Sequence, residues 1–301
     1  MSNNAATAAP AESLHKIYKR KSQLRDVWHR FCKNKMAFVA LCILAIIVLA
    51  ACTADLFWDY EKDACELHIS EKLQHPSREH LLGTDEVGRD ILCRLVYGAR
   101  VSLKIGIGAA TFALVIGCIL GSIGGYYGGK IDSVIMRFTD VLLAIPGLLL
   151  GIAIVNAFKP TVFYMALAFG ISYISKFTRI IRSSILSIRD QEYVEAARAI
   201  GAKDSVIIFR HILLNCMAPI FVQYALCIGT RILSVSTLSF IGLGIQAPTP
   251  DWGSMLAGAR AYIRGNAYLV MGPGVALLLT ISSFNIIGDG LRDALDPRLK
   301  K

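Results

Sequence analysis

Charge is what this sequence has least of. Asp, Glu, Lys and Arg make up 18% of its 301 residues, where a soluble domain carries about 25%. The shortage is uneven. Stretches near 20 residues long are almost free of charge, while apolar residues reach 54% of the chain. Runs of that length are what crossing ~30 Å of hydrocarbon requires, which excludes a soluble domain. Paired motifs are missing too. None of the eight cysteines forms a CxxC pair. Most lie in apolar runs, where Cys acts as a small hydrophobe. Cys65 and Cys93 share one polar stretch, and whether they pair stays open. No HExxH or Ser-His-Asp arrangement occurs, so no catalytic residue is expected. His68, His75 and His80, with Cys65 and Glu66, are spaced too widely for a zinc site, and no metal ligand is expected. "GGYYGGKI" (124–131) lacks the Ser or Thr that a phosphate loop puts after its Lys, and an apolar run precedes it instead of a strand. The net charge of +10 comes without a basic run interleaved with aromatics, which excludes nucleic acid as partner.

Apolar runs are what the sequence does have: 36–54, 101–127, 141–158, 161–175, 212–243 and 267–287. Six runs of this kind predict an all-α polytopic membrane protein with six transmembrane helices, solvated by membrane lipid. The first run ends "LAAC" (49–52), a likeness to a lipoprotein cleavage box, but it begins 35 residues in, unlike a signal peptide. Lys and Arg number eight in 1–35, two in 128–140, seven in 176–214 and four in 288–301, against six in 55–100. The positive-inside rule then places both ends in the cytoplasm, N-in and C-in. The expected organisation is a basic cytoplasmic segment 1–35, a first helix 36–54 and an extracytoplasmic loop 55–98. A five-helix core 99–288 follows, containing a cytoplasmic segment 176–214, and then a cytoplasmic tail 289–301. The stretch 16–35 reads either as an amphipathic surface helix or as a solvated basic tail. Pro146, Pro219 and Pro273 fall within runs three, five and six, where each favours a kink. The glycine density of "GIGAATFALVIGCILGSIGGYYGG" predicts close helix approach.

The charged segment "DQEYVEAARAIGAKDSVIIFRH" (190–211) interrupts the apolar pattern. Asp190 is placed as an N-cap ahead of Gln191 and Glu192. Val194, Ala196, Ala197 and Ile200 form one small apolar face. Gly201 sits where a helix end takes a left-handed residue, and Asp204 is placed to cap a second helix. A helix, a sharp turn and a helix, with small residues on one side, fit a groove on another protein. Two other features carry charge. Arg231 lies inside a run, where an ionisable group faces either a transport pathway, binding a substrate carboxylate, or a structural partner, unless it snorkels. Asp85, Glu86, Arg89 and Asp90 cluster in the 55–98 loop, either as a contact for a partner protein or as a self-capping surface helix with Asp85 near its N-cap.

"EAARAIGA" resembles the cytoplasmic loop of binding-protein-dependent ABC importer permeases, built around Glu-Ala-Ala with Gly a few residues on. "HLLGTDEVGRDILCRLVYGARVSL" (80–103), "LSFIGLGIQAPTPDWG" (238–253) and "FNIIGDGLRDALDPRL" (284–299) are similar to the dipeptide/oligopeptide/nickel branch of that family, in the subunit type whose first span precedes the GTDE-GRD loop. The resemblance runs from about Trp28 to the C-terminus. Two positions depart from the family pattern: Leu214 stands where members commonly have Pro, and Val235 where many have an acidic residue. The resemblance implies the type I ABC importer permease fold and a multi-pass place in the bacterial cytoplasmic membrane. It further implies a second homologous permease, two ATP-binding subunits and an extracytoplasmic solute-binding protein as partners. ATP and magnesium would be bound by the ATPase subunits, with no cofactor on this chain. Glu195, Ala196, Ala197, Ile200 and Gly201 would form the coupling helix. Peptide is the expected cargo, with nickel complexes or glutathione-like peptides as the alternative.

Overall fold

The computed structural model describes residues 23–295. Among these, helices account for all regular structure, joined by turns and one isolated bridge between Thr84 and Asp90. In chain order they are α1 (Gln23–Lys33), α2 (Lys35–Thr53), α3 (Ile91–Tyr127), α4 (Gly129–Ala144), α5 (Gly147–Ala157), α6 (Val162–Ile171) and α7 (Ile174–Leu186). Then come α8 (Glu192–Ala199), α9 (Asp204–Val206), α10 (Met217–Phe240), α11 (Trp252–Ala259) and α12 (Tyr268–Leu295).

Polar side chains set several of the starts. Asn34 accepts from the Ala37 amide (3.2 Å) to begin α2, and Asp90 from the Cys93 amide (2.8 Å) to begin α3. Thr161 and Asp251 do the same for α6 and α11. Each cap satisfies one donor that the first helical turn leaves without an intrahelical partner.

Four stretches are long and apolar enough to cross a membrane: Lys35–Leu56, Ile91–Tyr127, Asp204–Phe240 and Tyr268–Leu295. A fifth is formed if α4 and α5 count as one span, although they meet at 82°. By length and composition the described residues thus supply four such helices, or five with the bent pair, against the six expected. Run three breaks at Pro146, which lacks an amide donor and forces its predecessor out of the helical region; Ile145 is extended there, at φ −89° and ψ 118°. Run four yields only the ten-residue α6, followed across Ser172 and Tyr173 by α7. Pro219 lies in the first turn of α10, where no helical hydrogen bond is lost, and Pro273 sits inside a continuous α12. Run two begins ten residues earlier than expected, and α3, at 37 residues, is about 55 Å long.

Packing centres on α3, which lies against α6, α7 and α10, while α2 and α1 pack on α12. The α3–α7 contact depends on glycine. A Cβ on Gly121 would stand 2.7 Å from the Thr178 carbonyl oxygen, and one on Gly125 would stand 3.0 Å from the Ile185 Cβ. Small residues at this spacing bring the two backbones together. Phe31 of α1 is buried against Ala37 and α12, so the 23–33 part of the basic segment is a helix docked on the bundle; residues 16–22 lie outside the described residues, as does the tail beyond Leu295. Large apolar side chains along α2, such as Val39, Ile46 and Leu49, remain exposed, which a lipid solvent tolerates.

Candidate functional site

The charged segment is an ordered projection at one end of the bundle. Its helix α8 is capped by Gln191, not by Asp190, and the Gln side chain makes no capping bond. Asp190 pairs instead with Arg189, at 3.3 Å. The helix closes as expected. Gly201 adopts φ +78°, the Gly201 amide donates to the Arg198 carbonyl (2.9 Å), and the Ala202 amide reaches back to the Ala197 carbonyl (3.1 Å). A left-handed residue permits this reversal at no steric expense when it is glycine.

The expected apolar face divides in two. Val194 and Ala197 are buried in the chain's own core, in the cluster that holds Ile185, Ile207, Ile208 and Tyr126. Glu195, Ala196 and Ile200 point away from it, and Ile200 is 85% exposed. The reason is the helical period: residues 194 and 197 share a face, while 195, 196 and 200 cover the other side. Asp204 does not act as the cap of α9, whose N-cap is Lys203. Its carboxylate accepts hydrogen bonds from Tyr126 (2.7 Å) and Tyr127 (3.3 Å). Around the projection, Tyr193, Val206, Phe209 and Leu214 are further exposed apolar groups. Leu214, at the position that departs from the family pattern, sits in a short 3₁₀ turn just before α10.

Asp85, Arg89 and Arg94, at the end of the 55–98 loop and the start of α3, are buried. Asp85 accepts from the Arg89 side chain (2.8 Å), and from the Val87 and Arg89 amides (3.0 and 2.9 Å). Arg94 approaches the same carboxylate at 3.4 Å, and donates to the carbonyls of Ala64 and Pro248. Asp90 caps α3 and accepts from His80 at 2.9 Å. Only Glu86 of the four keeps a sizeable exposed surface, at 29%. Asp85 and Arg89 thus form an internal ion cluster in a turn, not a surface helix. With Thr249, Ser254 and Leu269 they line a cavity of about 100 Å³. Nearby, Asp251 is buried, with Ser102 donating to it at 2.9 Å. Burial pushes its carboxyl up from the ordinary value, while the hydroxyls of Ser239 and Ser102 and the amides of Ser254 and Gly253 pull it down.

Arg231 lies in α10 and is 8% exposed. Its guanidinium donates to Ser172 Oγ (3.1 Å) and the Phe169 carbonyl (3.4 Å), and stacks over the Tyr173 ring at 4.6 Å. These are the last turn of α6 and the break before α7. A cation at a helix C-terminus meets carbonyls that lack helical partners. Val235, one turn further along α10, is 1% exposed in an apolar cluster with Ile105 and Ala109, so the position is filled by packing where many family members carry an acid.

The Tyr126–Asp204 contact and the Arg231–Tyr173 stack carried no sequence signal. They join residues 78 and 58 positions apart, and local pattern does not encode such pairings. His80, by contrast, lies within the stretch already marked as charged.

Residues 113–301 match the binding-protein-dependent transport system inner membrane component family. Residues 22–76 match the N-terminal TM domain of oligopeptide transport permease C. The chain is 46% identical to the dipeptide transport system permease protein DppC of Alkalihalophilus pseudofirmus over 283 residues, covering 94% of this chain and 92% of that one. It is 39% identical to the oligopeptide transport system permease protein OppC of Bacillus subtilis, covering 99% and 96%. It is 40% identical to the glutathione transport system permease protein GsiD of Pectobacterium atrosepticum, covering 92% and 91%. In structure it resembles the MetNI methionine ABC transporter in an inward-facing conformation. That likeness has a TM-score of 0.57 at 18% identity and covers 68% of this chain and 98% of that chain.

Proposed function

This chain belongs to the binding-protein-dependent transport system inner membrane components, multi-pass proteins of the bacterial inner membrane, and on that premise we propose that it imports di- and oligopeptides as one half of an ATP-driven translocation pathway. The other half is a second, homologous permease. Two ATP-binding subunits dock on the cytoplasmic side, and an extracytoplasmic solute-binding protein delivers the cargo. ATP and magnesium belong to the ATPase subunits, and this chain contributes no catalytic group.

The observation that carries this reading is the exposed side of α8. Glu195, Ala196 and Ile200 stand out from a helix whose other side is fixed into the core by Val194 and Ala197. An apolar side chain as exposed as Ile200, at the tip of an ordered turn, is suited to a pocket on a partner. Glu195 supplies a polar contact at its rim. Ala197 supports the helix from inside and does not enter the pocket. ATP binding closes the ATPase pair, α8 moves with it, and the spans alternate between inward- and outward-open arrangements.

Six crossings fit this function if α4 with α5 form one bent span and α6 with α7 form another. Both chain ends are then cytoplasmic, on the side of the basic segments. Arg231 is best read as a clamp on the second of these breaks, since its Nη1 donates to both Phe169 and Ser172 while its Nε is left buried without a partner. Among substrates, the 46% likeness to a dipeptide permease favours small peptides. A glutathione-like tripeptide is the second reading, supported by the 40% likeness to GsiD.

The test is to purify the tagged chain from native membranes in mild detergent and identify what accompanies it by mass spectrometry. A sister permease and two ATPases are expected, and the accompanying binding protein is then screened against dipeptides, oligopeptides and glutathione. Recovery of the chain alone would overturn the importer reading.

A further inference from the structure

The α3–α4 junction, Gly124–Gly129 within "GGYYGGK", lacks the Ser or Thr that a phosphate loop puts after its Lys. We propose instead that it is the seat that fixes the α8–α9 segment to α3, with Tyr126 as the positioning residue through which displacement of α8 reaches that helix. The proposal rests on the docking role of α8 given above.

Three contacts arrive at this turn from three points of the segment. Before α8, Arg189 donates to the Gly125 carbonyl at 3.2 Å. Within α8, the Arg198 guanidinium lies over the Tyr126 ring at 5.1 Å. After α8, Asp204 receives both tyrosines on its two carboxylate oxygens, at 2.7 and 3.3 Å. The Tyr126 ring is itself buried in the cluster that holds Val194 and Ala197. Tyr126 is therefore held on its face and at its hydroxyl by one segment.

The need for such a seat follows from the connection. Between α7 and α8, residues Ser187–Gln191 form no helix. A displacement of α8 would be taken up in those turns unless something else tied α8 to a long helix. Apolar contact alone is non-directional and permits sliding. Hydrogen bonds to a carboxylate are charge-assisted and directional, and two on one acceptor fix its orientation. The position of the tyrosines is set by glycine. Gly128 and Gly129, at φ +66° and +54°, end α3 directly after Tyr127, which leaves both phenols on its final turn. The next helix starts at once, and its Asp132 pairs with Arg182 of α7.

The experiment compares wild-type, Tyr126→Phe, Asp204→Asn and the double variant, each purified with its co-purifying partners and reconstituted in lipid. Amide hydrogen exchange reads residues 192–206. Uptake of tritiated alanyl-phenylalanine per ATP hydrolysed reads the coupling. Tyr126→Phe keeps the buried ring and loses only the hydroxyl. It is expected to speed exchange in 192–206 by about fivefold, the factor that about 1 kcal/mol represents. ATPase recovery and basal hydrolysis should stay at wild-type levels, while uptake per ATP falls by a similar factor. The double variant should add little to either single one, because both remove the same bond. A merely structural defect would lower uptake and hydrolysis together. Unchanged exchange, or unchanged uptake per ATP, in Tyr126→Phe overturns the proposal. If wild-type brings down no ATPase, the docking reading is what fails, and the exchange result alone decides whether the seat exists.

Discussion

Gly121 stands directly against Ile181: a Cβ built on the glycine would lie 2.9 Å from the Cβ of Ile181, and 2.7 Å from the Thr178 carbonyl oxygen. Nothing at that distance is the free end of a flexible chain, so one added methyl must push α7 off α3. Overpacking of this kind costs about 1–3 kcal/mol. Gly121→Ala is expected to lower the thermal midpoint of the purified protein. Gly274→Ala, at a helical position with nothing within 4 Å, should leave the midpoint unchanged or raise it. Equal midpoints for the two variants would contradict the close approach.

Asp85 is the counter-ion for two arginines with little access to solvent, Arg89 and Arg94. Removing one member of a buried ionic cluster leaves the others uncompensated, at about 3–5 kcal/mol. Asp85→Ala should therefore depress folding yield and thermal stability sharply. Glu86→Ala, at a half-open position, should not. A selective loss of binding-protein affinity in Asp85→Ala, with stability intact, would return that residue to the surface.

Arg231 distinguishes a clamp from a substrate contact by its kinetics. Arg231→Met removes the donors at Phe169 and Ser172, and should cost about 1–3 kcal/mol of stability. Maximal uptake should fall with the amount of folded protein, while the half-saturating substrate concentration stays put. A rise in that concentration for peptides with a free carboxylate, absent for amidated ones, would show that Arg231 meets the cargo.

Ile200→Asp tests the docking face. The side chain is exposed, so the fold should be indifferent, within about 0.5 kcal/mol. The ATPase subunits should no longer co-purify, or should do so at a small fraction of the wild-type amount. Val194→Asp, on the buried side of the same helix, should instead destabilise the chain itself. Retention of both ATPases by Ile200→Asp would refute the assignment of that face.

Asp251 links stability to pH in a stated direction. Burial raises its folded value above that of the unfolded chain. Protonation in the folded state is thus favoured, and the stability this contributes is complete below the unfolded value, near 4. It is lost as the pH rises through the raised folded value. Asp251→Asn keeps an acceptor for the α11 cap and removes the titration. The variant should be at least as stable as wild-type at neutral pH. It should also lack the wild-type decline in thermal midpoint between acidic and neutral conditions. A wild-type midpoint that increases over that range would reverse the sign.

Much of this architecture is legible in the amino-acid sequence. The run 36–54 and α2 coincide to within a residue or two, because an uncharged apolar stretch has little alternative to a helix in lipid. Gly201 announces its turn because few other residues adopt that backbone. The glycine-rich stretch announces close packing, though not its partner. What the sequence conceals is of two kinds. Period alone does not tell which side of α8 faces inward, since Ala196 and Ala197 are chemically alike and only their distant neighbours, Tyr126, Ile185 and Ile207 among them, separate the two. Charge alone does not tell that Asp85 and Arg89 are internal, because a polar loop gives no sign of folding over its own ion pairs. The break at Pro146 is visible as a kink, but an 82° turn needs the neighbouring helices to hold it.

One helix reaches from the ion cluster of the 55–98 loop to the tyrosines that hold Asp204: α3, unbroken for 37 residues. A rod conveys a push and a pull equally well. Any free energy that a molecule docking outside exerts on nucleotide binding inside must be returned in full by the reverse route. The sense of transport is therefore not inscribed in this chain. It has to be imposed by a step that does not run backwards, and on the proposed reading α3 would carry that step from one of its ends to the other.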